Sequence, residues 1–259
     1  MNKRLSLVLL LIVTTALLAG CTEFKDPIYD NSQGFWNEYI VWPLVSSITF
    51  FKELLGTYGL GIIAVTIIIR LVLLPLMIKQ TKSSKNMQEV QPELAKLKEK
   101  YSSKDSVTQQ KYQQEMMALF KERGINPAAG CLPVFVQMPI LIGFYHAISR
   151  MNNTPEINLG SFAGFALADP SIFLAILAGL MQLVVLRTGP AMDNPQMKLM
   201  MYIMPFMIMG FGVVLPAALT LYWVIGNIIS IIQNLFIYKP WNKSKTKPVK
   251  VAKTGGPKK

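Results

Sequence analysis

Five stretches of this chain, at about 58–77, 132–148, 171–186, 199–214 and 217–238, are apolar almost throughout. About 20 such residues carry a helix across the hydrocarbon core of a bilayer. Hydrocarbon offers no water to the backbone N–H and C=O groups, so a spanning segment satisfies them within itself as a helix. The pattern predicts an all-α membrane protein with five transmembrane helices. Composition agrees, since 52% of the residues are hydrophobic and 15% charged, an apolar share above and a charged share below those of ordinary soluble domains.

The formal charge of +12 raises the question of nucleic acid, but the basic residues concentrate between the apolar runs and at the C-terminal end. That distribution is a topology signal, and no DNA partner is expected. Segment 82–130 holds nine Lys and Arg, the tail 239–259 holds eight, and the loop 151–168 holds none. Positive-inside then places segment 82–130 and the tail in the cytosol, with the mature N-terminus outside the bacterial cytoplasmic membrane.

Residues 1–20 read as a lipoprotein signal peptide: Lys3 and Arg4, an apolar run over 5–18, then Leu18-Ala19-Gly20-Cys21. The small residues before Cys21 look like a lipobox, in which the thiol receives diacylglycerol and the cysteine becomes the new N-terminus. An uncleaved signal anchor is the alternative. Cys21 and Cys131 stand in unrelated contexts and fix no redox compartment. In the extracytoplasmic segment 21–57, Phe35, Trp36, Tyr39, Trp42, Ile48 and Phe51 recur at near-helical spacing. They predict either an amphipathic helix in the outer interface or an aromatic-belt lead into the first span (domain 58–81).

Segment 82–130 carries two apolar stripes, Met87, Val90, Leu94, Leu97, Tyr101 and then Tyr112, Met116, Leu119, Phe120. It is expected to fold as a cytosolic helical hairpin, broken at Ser102-Ser103-Lys104-Asp105 and stopped at Arg123-Gly124. The remaining four spans occupy 131–238, the last two separated by Leu215 and Pro216. The tail 239–259, rich in Lys, Pro and Gly with little to bury, is expected to be disordered.

Arg70 lies inside the first apolar run. With Met77 to Lys79 at the cytosolic boundary, it starts roughly 10 to 13 Å deep at about 1.5 Å rise per residue. A central arginine costs from about 2.5 to well over 10 kcal/mol, so it must face water or a partner inside the bundle. The five spans contain no Asp or Glu to neutralise it. Gln137, Gln182, Asn227 and Gln233 lie at comparable depths, with the tips of Tyr222 and Trp223 nearby. Together they line a wet cavity, or Arg70 staples helices through glutamines and carbonyls freed by Pro133, Pro139 or Pro205. Asn227 and Gln233 can equally be interhelical glue. The methionines of the fourth span, Met200, Met201, Met204, Met207 and Met209, read as adaptable client surface or as lipid-facing filler.

Several segments together carry a family resemblance: Thr66-Ile67-Ile68-Ile69-Arg70-Leu71 through Pro75-Leu76, Asn126-Pro127-Ala128-Ala129-Gly130-Cys131-Leu132-Pro133, Gln137-Met138-Pro139-Ile140, Asn194-Pro195-Gln196-Met197, and Leu215 to Trp223. The chain resembles the YidC/Oxa-type membrane protein insertases, specifically the lipoprotein-type YidC of Gram-positive bacteria (SpoIIIJ-like). The resemblance implies a hydrophilic groove open to the cytosol and sideways to lipid, closed outside, with Arg70 at its positive centre. It implies that hydrophilic segments of nascent membrane proteins enter the groove and that their spans pass into lipid without nucleotide hydrolysis. Gln137, Gln182 and Trp223 are the next site candidates. Ribosome contact is implied, with the Sec translocon as a further partner, and no cofactor or metal. The tail lysines would attract ribosomal RNA or anionic lipid alike. No large extracytoplasmic domain is expected.

Two other classes compete. An enzyme is disfavoured by a single histidine, His146, placed by the sequence at the outer interface, and by the absence of His-Glu-x-x-His and Gly-x-Ser-x-Gly. An ion- or proton-coupled small-solute transporter is the stronger rival, but it calls for an acidic coupling site and repeated halves.

Overall fold

The computed structural model describes residues 24–103, 105–125, 132–189 and 195–238. The signal peptide, the Cys21 lipidation site, the Asn126 to Cys131 motif and the tail lie outside the described residues.

A single π-helical turn, Asn37–Val41, leads into α1 (Trp42–Leu55), followed by α2 (Tyr58–Lys100) and α3 (Ser106–Glu122). Then come α4 (Leu132–Asn153), the two-residue strands β1 (Ser161–Phe162) and β2 (Phe165–Ala166), α5 (Ile172–Thr188), α6 (Pro195–Gly212) and α7 (Ala217–Tyr238). The protein is thus mostly helical, with one addition to the all-α expectation. The antiparallel β1–β2 hairpin turns at Ala163 and Gly164, both at positive φ, the backbone a tight two-residue turn requires.

Gly56, left-handed at φ 93°, ends α1, and the Thr57 hydroxyl accepts from the Leu60 amide to start α2. The two helices then pack backbone to backbone: a Cβ on Gly61 would stand 2.5 Å from the Ile48 carbonyl oxygen. The first apolar run does not end at a loop. Although Pro75 and Pro92 each remove a helical hydrogen bond, α2 continues for 43 residues into the arm beyond the apolar run. It stops before Ser102-Ser103, and Asp105 caps α3 by accepting from the Thr108 amide at 2.8 Å.

By length and composition, two helices can cross a membrane, Tyr58–Lys100 and Ala217–Ile237; Ile172–Thr188 and Met201–Gly212 are shorter apolar helices. Many large apolar side chains face outward, among them Leu71, Val72, Phe173, Ile203, Phe206 and Phe236. A surface of that kind suits hydrocarbon rather than water.

The core sits at the end of the bundle where α2 begins and α4 ends, here the upper end. Val45, Ile48, Ile62, Phe144, Met151 and Leu219 are all buried there. The loop between α4 and α5 seals it. The first amides of α7, Ala217 and Ala218, donate to the carbonyls of Asp169 and Leu167 at 2.8 and 3.0 Å, which satisfies helix-start donors that otherwise have no partner. His146, near the upper end of α4, is 2% exposed and meets the rings of Trp36 and Tyr145 edge-on.

Candidate functional site

Below the core, α2, α4, α5, α6 and α7 surround a cavity of about 730 Å³. Helical periodicity selects its lining. On α2 the residues are Thr66, Ile69, Arg70, Leu73, Met77 and Gln80, one face at steps of three, four and seven. On α7 they are Leu219, Tyr222, Trp223, Asn227 and Ser230, again a single face. Gln137 enters from α4, Gln182 from α5, and Met204, Met207 and Phe211 from α6. Most of the wall is apolar, with the polar groups as a minority within it.

Arg70 is half-buried in this wall, and its Nη1 approaches the Met77 sulfur at 3.9 Å, a weak acceptor. The ion pairs among the described residues are Lys100–Glu115 and Arg123–Glu93, both on the hairpin. No Asp or Glu is among the described lining residues. The guanidinium thus stands in a low-dielectric wall without a carboxylate, where its field acts on whatever enters.

Of the residues singled out in the sequence, Arg70, Gln137, Gln182, Trp223 and Asn227 meet at the cavity, whereas Gln233 is not in its lining. Their hydrogen bonds divide them further. Asn227 donates to the Ala178 carbonyl at 3.1 Å, so it ties α7 to α5. Gln137 donates to the Tyr222 hydroxyl, whose ring stacks on Phe144 at 4.4 Å between centroids. Among the described residues, Gln182 has only the Met204 sulfur, 3.5 Å from Nε2, as acceptor. Gln233 is half-buried outside the cavity lining, and its buried Oε1 has no hydrogen-bond partner among the described residues.

Gln80 was missed by the sequence reading. It is 6% exposed, lines the cavity, and its Nε2 has no hydrogen-bond partner among the described residues. The signal available was its helical phase: seven residues after Leu73, another lining residue, it returns to nearly the same face of α2. Two more residues, Thr66 and Ser230, also line the cavity, but each hydroxyl is spent on a carbonyl one turn back, Ile62 and Gly226 respectively.

Residues 50–245 match the family model described as 60Kd inner membrane protein. The chain belongs to this family. Its relatives include Membrane protein insertase YidC 2 of Bacillus anthracis, 51% identical over 99% of this chain and 99% of its own length. Membrane protein insertase MisCA of Bacillus subtilis strain 168 is also 51% identical, over 100% of this chain and 99% of its own. Among solved structures, "Active YidC insertase crystal structure with the first transmembrane domain resolved" superposes with a TM-score of 0.62 at 27% identity. That likeness covers 78% of this chain and 47% of the solved one. The family and these relatives make this a protein of the cell membrane, and they agree with the resemblance carried by the Arg70, Gln137 and Leu215 to Trp223 segments.

Proposed function

We propose that the protein is a membrane protein insertase whose cavity receives hydrophilic, often acidic segments of nascent membrane proteins and releases their apolar spans into lipid without nucleotide hydrolysis. The observation that carries this reading is Arg70, set in an apolar wall whose described residues include no carboxylate. A resident carboxylate would occupy the guanidinium. Without one, the charge attracts a passing acidic segment, and the mixed wall supplies too few partners to hold it. Release follows from burying the client's own span in lipid, at about 0.8 kcal/mol per CH₂.

In this reading the chain crosses the cytoplasmic membrane five times, with the upper end outside and the hairpin and C-terminus in the cytosol. Cys21 carries the lipid. The hairpin and basic tail meet the ribosome, anionic lipids and, for some clients, the Sec translocon. A coupled transporter would need an acidic site in the cavity, and the described lining offers none.

The test is insertion of a single-span client with an acidic tail into vesicles holding the purified protein and no other translocase. We expect Arg70→Ala to slow insertion at least about tenfold, equivalent to about 1.4 kcal/mol, and Arg70→Lys to retain most of it. A client with a neutral tail should depend less on either change. Normal insertion of the acidic client by folded Arg70→Ala protein would remove Arg70 from the mechanism.

A further inference from the structure

Among the described residues, only the Met77 sulfur, a weak acceptor, meets the Arg70 guanidinium, yet the group occupies a defined place. The structure assigns that place to Gly226 of α7: we infer that Gly226 is a positioning residue whose missing side chain leaves the seat in which the Arg70 head lies against the α7 backbone. A Cβ built on Gly226 would come 2.6 Å from Nη2, 3.4 Å from Cζ and 3.5 Å from Nε. Nη2 alone is closer than van der Waals contact permits, with Cζ and Nε in ordinary contact behind it, so any side chain there must displace the Nη2 end of the guanidinium. Gly226 is buried, and its carbonyl accepts from Ser230 Oγ at 2.8 Å, so the backbone presents a flat patch rather than an acceptor to the cation. It lies on the cavity face of α7 between Trp223 and Asn227, and Asn227 pins α7 to α5 through the Ala178 carbonyl. The patch is fixed from behind, while the guanidinium, the far end of a flexible side chain, is the part free to move.

This arrangement solves a specific problem. A guanidinium held by a carboxylate would be neutralised, and one held by nothing would snorkel along α2 towards water. Contact with a bare stretch of helix holds it by shape and leaves its donors open. Arg70 thus depends on a residue that bears no chemistry of its own.

The inference rests on the proposed role of Arg70, and its test separates the two. Wild type, Gly226→Ala, Arg70→Lys, the double variant and Arg70→Ala are compared for insertion of the acidic client. The side-chain Nε–Hε NMR signal of Arg70, assigned by its disappearance in Arg70→Lys, is followed in parallel. We expect Gly226→Ala to shift that signal, to leave the thermal midpoint nearly unchanged, and to slow insertion about tenfold. In the Arg70→Lys background, where no guanidinium needs the seat, the same glycine change should cost less than about twofold. An unshifted signal, or an equal insertion loss in both backgrounds, overturns the seating. So does a Gly226→Ala protein that unfolds with Arg70 and with Lys alike, because the clash would then lie elsewhere. If Arg70→Ala inserts the client normally while the signal still shifts, the seat stands and the insertion role of Arg70 falls.

Discussion

Gln80 and Gln137 carry the same amide into the same cavity on different terms. The Gln137 donor is spent on the Tyr222 hydroxyl, whereas the buried Gln80 Nε2 has no partner among the described residues. An unsatisfied buried donor costs about 1–3 kcal/mol. Replacing Gln80 with leucine, similar in bulk, should therefore raise the thermal midpoint in detergent while slowing insertion of an acidic-tailed client. A fall in both would mean that Gln80 is structural. Tyr222→Phe keeps the stack on Phe144 and removes the hydroxyl, so a loss of about 1 kcal/mol is expected in the same melting assay. Arg70, Gln137, Gln182, Trp223 and Asn227 were legible in the sequence because a polar or amphipathic group inside an apolar run stands out. Gln80 was not, since it lies where the apolar run fades into charged residues and polarity there draws no notice. Gly226 was not legible either: its role is an absence of atoms opposite a residue 156 positions earlier in the chain.

At the scale of elements, the hairpin joint is a small polar device. Tyr101 Oη and Lys100 Nζ at the end of α2 both donate to Glu115 of α3, the ammonium at 3.3 Å. The Tyr101 hydroxyl, and after it Lys100, hold the Glu115 carboxyl below its ordinary range. Across the turn, the Ser103 hydroxyl first, then the Thr108 hydroxyl and amide, hold the Asp105 carboxyl far below its own. A depressed folded value means that the cap's contribution is complete above the unfolded carboxylate pKa, about 3.9. It is lost only as pH falls through the lower folded value. The start of α3 should therefore keep its protection against hydrogen exchange through mild acid, whereas Asp105→Ala should speed exchange of the Thr108 amide severalfold at neutral pH. This joint was legible because Ser102 to Asp105 interrupts two apolar stripes with residues that favour turns and caps. The continuity of α2 was not, since the change from apolar run to charged hairpin near residue 82 divides the pattern into two segments although the helix runs through it. Strands of two residues leave no alternation to read, so the β1–β2 hairpin was invisible as well.

For the molecule as a whole, closure of the upper end depends on Arg150, 3% exposed near the end of α4. Its Nε and Nη2 donate to the carbonyls of Asp26 and Pro27 at 2.9 and 3.0 Å, and Nη1 donates to Asn37 Oδ1. Ile28, fully buried, is held beside them by its amide on Thr154 Oγ1 at 3.0 Å. The strap over 24–37 is thereby tied across the top of the bundle. Arg150→Met should cost about 2–4 kcal/mol, because it strips partners from several acceptors at once. It should also expose Lys25 to trypsin well before the helices are cut; unchanged cleavage would show that the strap is held by its apolar contacts alone. The other end of the molecule behaves differently, because α2 is unbroken over 43 residues, roughly 65 Å. Lys100 stands roughly 45 Å along that axis from Arg70. Were the axis straight and rigid, a swing of roughly 4 Å at Lys100 would equal a rotation of about 5° about Arg70. Load applied at the hairpin thus has to pass Pro75 and Pro92, where the helix lacks a hydrogen bond and bends most easily, before it reaches Arg70.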